Sequence, residues 1–177
     1  MVDCKFTILL LSETGGIGKT CFLLRYTENK FYKKHLSTIM DSRKKIIELK
    51  NGKSVKLQIF EPISQQRFRN LGKDYMKNSH GIILLYDITD LESFERLNDN
   101  SWINDVKENA SKRAVVYLVG NKIDKEEERL VSYNEGEQLA KELNISFFES
   151  SGKENKNVKE PFYSLCEEII NKLIIYL

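Results

Sequence analysis

Two short runs constrain the fold more than anything else in the chain. Gly81–Asp87 (GIILLYD) and Ala114–Gly120 (AVVYLVG) are apolar almost without interruption. A strand with one wet face alternates polar and apolar residues, and these two do not. Both faces of each must therefore be covered, as in the middle of a parallel sheet flanked by helices. Both runs fall far short of the roughly 20 apolar residues of a membrane span, as do FTILLL near the start and LIIYL at the end.

The remaining segments fit that frame. Lys5–Leu11 reads as a buried strand, Gly15–Thr20 as a loop and Cys21–Glu28 as a helix. Arg43–Lys50 and Ser54–Glu61 read as two strands joined at Asn51-Gly52, a dipeptide suited to the left-handed angles of a tight hairpin turn. Leu91, Phe94, Leu97, Trp102 and Val106 recur near helical spacing and predict one helix over Leu91–Asn109. Tyr133–Leu143 is a further helix, Ile145–Phe148 a short strand and Val158–Leu173 a final amphipathic helix. The expectation is an α/β fold: a six-stranded, mostly parallel sheet with one antiparallel strand and helices on both faces. Its 177 residues suit one domain spanning 1–177. Ligands of such sheets bind beyond the carboxyl ends of the strands.

Composition removes several function classes. With 41% hydrophobic and 31% charged residues the chain is neither disordered nor low in complexity. A net charge of +2, with lysines interleaved among acids as in KENASKR and KEEER, gives no reason to expect a nucleic-acid partner. Cys4, Cys21 and Cys166 lie in apolar periodic segments and read as buried thiols in a reducing compartment. A redox pair among them is a question of distance. FTILLL is too short for a signal peptide and opens a strand pattern, so a cytoplasmic location is expected.

The first chemical motif follows the first strand. Glu13-Thr14-Gly15-Gly16-Ile17-Gly18-Lys19-Thr20 leads directly into a helix. Glycines let backbone N–H groups converge on phosphate oxygens, and the helix N-terminus adds a positive dipole end. Gly15, Gly16, Ile17, Gly18, Lys19, Thr20 and Cys21 are the expected phosphate-binding residues, with Lys19 reaching the β- and γ-phosphates and the Thr20 hydroxyl on magnesium. The pattern G-x-x-x-x-G-K-[ST] begins with Gly, whereas this chain has Glu13, whose bulk and charge are expected to weaken phosphate binding. Alone, this motif also suits an ATP-using phosphotransferase, or a turn that contains GKT by chance.

The second motif, Asn121-Lys122-Ile123-Asp124, lies at the end of a predicted strand. Asp124 can accept two hydrogen bonds, from guanine N1–H and from its exocyclic amine. Adenine cannot supply that pair, and unpaired buried polar groups penalise the wrong base. Asn121 would tie this loop to the phosphate loop, and the Lys122 stem would lie along the ring face. Downstream, Glu149-Ser150-Ser151-Gly152-Lys153 follows the next strand; Ser151, Gly152 and Lys153 are placed so that a backbone N–H can meet the guanine carbonyl. The order of the motifs, each ending its own strand, points to a guanine nucleotide.

With these motifs in place the sequence resembles the Rab branch of the Ras superfamily, from about Lys5 to Leu173. GIGKTCFLLRY, STI at 37–39, IELKNGKSVKLQIFE, QQRFRNL, GIILLYDITDLESFERL, GNKID and ESSGK carry the likeness. It implies a P-loop small-GTPase fold, GDP and GTP with Mg2+ as ligands, and effector and regulator proteins as partners of two switch regions. It also implies a monomer acting in vesicle transport. By position, Phe31 matches an aromatic packed edge-on against guanine, and Thr38 a switch threonine that holds magnesium and senses the γ-phosphate. Gln65 matches the glutamine that orients the attacking water, and Gly15 the loop glycine that must stay small for hydrolysis. The resemblance thus gives Gln65, Lys19 and Thr38 catalytic roles, and makes Thr20, Thr38 and Glu61 the metal set.

The departures cluster. Where the family has D-T-A-G-Q-E-R-F, this chain has Glu61-Pro62-Ile63-Ser64-Gln65-Gln66-Arg67-Phe68. Glu61 is one methylene longer than the family's aspartate at a cation that demands near-ideal geometry. Ser64 replaces a glycine that reorients between states, and Pro62 stiffens the same segment. Met40-Asp41-Ser42-Arg43 and Phe60 replace the family's Gly-Val-Asp-Phe and Trp on the effector-reading surface. Two readings result: a slowly hydrolysing switch, or a nucleotide-binding interaction module held with GDP or empty. No lipidation motif closes the sequence, so no membrane anchor is expected in this chain. A peripheral place on vesicles would need a lipidated tail or further domain outside it.

Overall fold

The computed structural model describes residues 2–32, 40–62, 69–98 and 101–175. Six strands form one sheet in the order β2-β3-β1-β4-β5-β6. They are β1 (Cys4–Leu11), β2 (Met40–Glu48), β3 (Ser54–Pro62), β4 (Gly81–Asp87), β5 (Val115–Asn121) and β6 (Ser146–Ser150). Only the β2–β3 pair is antiparallel; β1 runs parallel to both β3 and β4, and β4, β5 and β6 continue parallel. The two central apolar runs are β4, buried throughout, and β5, nearly so.

The helices are α1 (Lys19–Glu28), α2 (Arg69–Lys77), α3 (Leu91–Asn98), α4 (Ser101–Asn109), α5 (Tyr133–Leu143) and α6 (Glu160–Ile175). They divide the core into two layers. Phe22, Leu23 and Tyr26 of α1 and Phe162, Leu165 and Ile169 of α6 pack with Ile8, Leu10, Ile83 and Leu85 on one face. Met76 of α2, Phe94 and Leu97 of α3, Trp102, Ile103 and Val106 of α4 and Leu139 of α5 pack with Leu9, Leu11, Ile82 and Leu84 on the other. Successive strand residues point to opposite faces, so uninterrupted apolar strands fill both layers.

Local chemistry explains the element ends. Gly52 has φ +77°, and its N–H donates to Leu49 O at 2.9 Å, closing the predicted hairpin. Asn29 and Asn144 end α1 and α5 in left-handed geometry. Ser132 and Glu135 form a reciprocal capping box at the start of α5.

Two expectations need correcting, and two elements were not anticipated. The segment predicted as one helix over Leu91–Asn109 contains two, α3 and α4, with residues 99–100 outside the described set. Helix α2 and a 3-10 segment at Ile123–Glu128 are further elements that the sequence reading did not anticipate. Of the three thiols only Cys166 is buried; Cys4 and Cys21 are half-buried, and all are free. Among the described residues no helix is long and apolar enough to cross a membrane.

Candidate functional site

The chain leaves β1 between β3 and β4, at the point where the strand order reverses. That is where open α/β sheets bind ligands. Leu11 is followed by the loop, and the loop by α1. Gly16 and Gly18 have φ of +79° and +89°, angles that glycine adopts freely, and Gly18 is the N-cap residue of α1. A Cβ on Gly18 would stand 2.9 Å from Asn121 Nδ2, so close packing as well as backbone angle requires glycine there.

Asn121 and Lys122 come from the end of β5 and reach back to this loop. Asn121 Nδ2 donates to Ile17 O at 3.0 Å, while its Oδ1 accepts from Ser150 Oγ at 3.3 Å and from Gly152 N at 3.4 Å. One buried amide thus joins three loops. Lys122, itself at φ +71°, donates through Nζ to Gly16 O at 2.7 Å and pairs with Asp87 Oδ2 at 2.6 Å. Strand register puts Asp87 level with Asn121, which is why β4 ends on this partner.

Asp124 faces the third loop. Its Oδ1 accepts from Ser151 Oγ at 2.6 Å, and its Oδ2 lies 3.3 Å from Lys153 Nζ. Burial raises its pKa, but the bonds from Ser151 and Lys153 outweigh that and hold the carboxyl below its ordinary value. Ser151 is fixed in turn by accepting from Glu154 N at 2.9 Å. From α1, Arg25 donates to Gly152 O at 2.8 Å and to Lys153 O at 3.1 Å. Arg129 grips both oxygens of Glu149 at 2.7 and 3.0 Å, bracing the segment after Asp124 against β6.

At the phosphate end, Lys19 is buried and donates to Ser12 Oγ at 2.8 Å. Burial lowers its pKa, and the nearby negative charge of Glu61 works in the other direction. Thr20 Oγ1 donates to Glu61 Oε1 at 2.5 Å. This pair of hard oxygen donors suits Mg2+, which takes few protein ligands and keeps water and phosphate oxygens for the rest. Among the described residues no group of three or more His, Cys, Asp or Glu could form a self-sufficient metal cage. Glu13 does not stand as a bare charge in the loop: its Oε1 accepts from the backbone N–H of Trp102 at 3.1 Å, in the first turn of α4.

The structure therefore brings together Gly15, Gly16, Ile17, Gly18, Lys19, Thr20, Glu61, Asn121, Lys122, Asp124, Ser151, Gly152 and Lys153 at one end of the sheet. Cys21 is half-buried in the first turn of α1, and its thiol lies 3.5 Å from Tyr32 O. Phe31, half-buried, follows the end of α1. Thr38, Ser64 and Gln65 lie outside the described residues. Sequence reasoning missed Ser12, which accepts from Lys19 seven positions on, and Arg25, Asp87, Arg129 and Glu149, whose partners are more distant in the chain; only Asp87, ending an apolar strand as Asn121 does, carried a signal.

These convergent loops at the carboxyl end of a mostly parallel sheet define the P-loop small-GTPase class. The Ras family profile matches residues 8–171, and the chain belongs to that family. Its similarity is to Rab-like members. It is 40% identical to Ras-related protein RIC1 of Oryza sativa subsp. japonica over 172 residues, covering 97% of this chain and 83% of that protein. GTP-binding protein ypt2 of Schizosaccharomyces pombe is 43% identical over 162 residues, covering 91% and 80%. Ras-related protein Rab-13 of Rattus norvegicus is 42% identical over 171 residues, covering 96% and 82%. The chain is thus a Rab-like small GTPase of the Ras superfamily, a group of GTP-binding switches of vesicle transport that bind GDP and GTP with Mg2+ and engage effector and regulator proteins.

Proposed function

We propose that this protein is a Rab-like switch that holds guanine nucleotide firmly but distinguishes GTP from GDP weakly, and hydrolyses GTP slowly while recruiting effectors. The observation that carries the nucleotide half is the Asn121 side chain, bonded to Ile17 of the phosphate loop, to Ser150 and to Gly152. A base held by Asp124 is thereby coupled to phosphates held by Gly15, Gly16, Ile17, Gly18, Lys19, Thr20 and Cys21, with Phe31 and Lys122 flanking the ring. Ser151, Gly152 and Lys153 complete the base side. A free Asp124 carboxylate would have to be desolvated and oriented on binding; Ser151 and Lys153 support an arrangement in which that cost is already met.

In the phosphate half, Thr20 and Glu61 would hold Mg2+, joined by Thr38, and Gln65 would position the attacking water. The metal supplies charge neutralisation at the β- and γ-phosphates when bound. Lys19, buried beside Ser12, would move its ammonium to a phosphate oxygen in exchange for the serine hydroxyl. Glu61 and Ser64 place the departures on the γ-phosphate and magnesium side, leaving the base side as the family has it. Losing one charge-assisted hydrogen bond costs about 1.5–3 kcal/mol, or roughly 10- to 150-fold in affinity. GTP binding suffers more than GDP binding, and the energy gap that drives a switch narrows.

Affinities for GDP and a non-hydrolysable GTP analogue, each with and without Mg2+, test this reading. Near-equal affinities with a small magnesium effect are expected; a strong, magnesium-dependent preference for the GTP analogue would overturn it. Single-turnover hydrolysis separates a slow switch from an interaction module with no catalysis.

A further inference from the structure

The opposite end of the sheet carries a second set of features that nucleotide binding does not use. Between the end of α4, the start of β5 and the end of α5 lies a slot of about 220 Å³. Its walls are Leu84, Ile103, Val106, Val116, Leu143 and Ile145, and Lys107 and Lys112 stand at its rim. Both lysines are exposed, and among the described residues neither has a carboxylate partner. Ser111 is shared with a neighbouring hollow, also about 220 Å³, lined by Lys77, His80, Arg113 and Lys172. No Asp or Glu lines the slot, although the whole chain is nearly balanced in charge; in the neighbouring hollow Lys77 and Lys172 pair with Asp74 and Glu168, each at 3.5 Å.

Shape and charge together select the occupant. The slot is smaller than the ~300–1,000 Å³ of small-molecule sites, so it admits a side chain rather than a whole ligand. It is recessed, whereas contact with a bilayer calls for apolar groups that protrude. Its rim is cationic without internal neutralisation, which favours an acidic neighbour and disfavours a basic one. On β5, Val116 of the slot precedes Asn121 by five residues, or about 17 Å.

We propose that this basal slot docks an acidic peptide segment of a partner protein. One bulky aliphatic or aromatic side chain seats between α4 and α5, and flanking Asp or Glu residues meet Lys107 and Lys112. Because the site lies at the far end of the strands from the phosphate loop, docking proceeds alike with GDP and with GTP bound. It therefore adds a constitutive contact to the nucleotide-dependent ones.

The test uses the full chain, loaded with GDP or with a GTP analogue, and a panel of labelled synthetic peptides. Each peptide carries one Leu, Ile, Phe or Trp within a run of four glutamates, with a glutamine-substituted counterpart. Backbone amide shifts locate binding, and fluorescence anisotropy measures it. Saturable binding is expected to perturb the amides around Ser111 and Ile145 equally in both nucleotide states. It should weaken with salt and fall on the order of tenfold or more in Lys107→Glu/Lys112→Glu. Ala110→Leu, which leaves both lysines in place, should remove the preference for the bulky residue. The proposal is overturned if no peptide perturbs those amides, if the double variant binds as well as the wild type, or if binding follows the nucleotide. It is equally overturned if the two lysines instead govern sedimentation with phosphatidylserine vesicles or a concentration-dependent dimer, while the peptides do nothing. Failure here leaves guanine binding untouched, because no nucleotide-binding residue lines the slot.

Discussion

Asp124 shows how far a single residue can be pre-set for its ligand. Ser151 and Lys153 hold the carboxylate as an ionised acceptor, and burial alone would have pushed it the other way. Asp124→Asn exchanges one acceptor oxygen for a donor, and guanine offers donors at both contacts. GDP affinity, followed by titration calorimetry, should drop by roughly 10- to 150-fold. Tyr86 makes the opposite case. Its hydroxyl is buried with no hydrogen-bond partner among the described residues, and its ring packs on Phe94 at 4.9 Å. Tyr86→Phe removes a desolvated hydroxyl whose burial costs about 1–3 kcal/mol, so the melting temperature should hold or rise. A Cβ on Gly136 would stand 2.3 Å from that hydroxyl and 2.5 Å from Phe147 Cζ. Gly136→Ala should therefore cost about 1–3 kcal/mol in urea denaturation, and less in a Tyr86→Phe background because one of the two obstacles is gone.

At the scale of elements, Glu13 links two that sequence distance keeps apart. A helix begins with four N–H groups that lack intrahelical partners, and negative charge near them is favourable. Glu13 supplies an acceptor to Trp102 in the first turn of α4, so the residue that departs from the phosphate-loop pattern also supports a helix. Glu13→Gly should restore a permissive loop and raise nucleotide affinity, while lowering stability by about 0.5–2 kcal/mol, as losing a helix cap does. A thermal melt without nucleotide reads the second effect apart from the first. If stability is unchanged, the hydrogen bond to Trp102 contributes nothing to α4.

At the scale of the whole molecule, the sheet carries a pH-sensitive joint. His80 precedes β4; its backbone N–H donates to Thr7 O at 2.9 Å, and its Nδ1 accepts from Thr7 N at 3.1 Å. The ring also packs on Phe6 with centroids 5.4 Å apart. Burial lowers its pKa, and protonation at Nδ1 would remove the acceptor Thr7 uses. The folded chain therefore binds fewer protons here than the unfolded one. The resulting stability is complete above the unfolded pKa of about 6.5 and is lost as pH falls from there toward the lowered folded value. Urea midpoints should decline between about pH 7.5 and 5.5. His80→Gln, which keeps an acceptor without the titration, should flatten that decline.

What the sequence determined by itself was whatever rests on local pattern. The apolar runs of β4 and β5, the Asn51-Gly52 turn and the loop ending in Gly18-Lys19-Thr20 were legible because each depends on neighbouring residues. The break between α3 and α4 was not, since both halves continue one apolar period across Leu97 and Trp102. Helix α2 was open to the same reading, since Leu71, Tyr75 and Met76 recur at helical spacing. Only the tertiary structure decided that Glu13 supports α4, that Asp87 holds Lys122, that Arg25 reaches the Gly152 loop and that Arg129 grips Glu149. Each of these joins residues many positions apart. Their meeting depends on strand order and register, which the packing of two helical layers on one sheet fixes and no local pattern encodes.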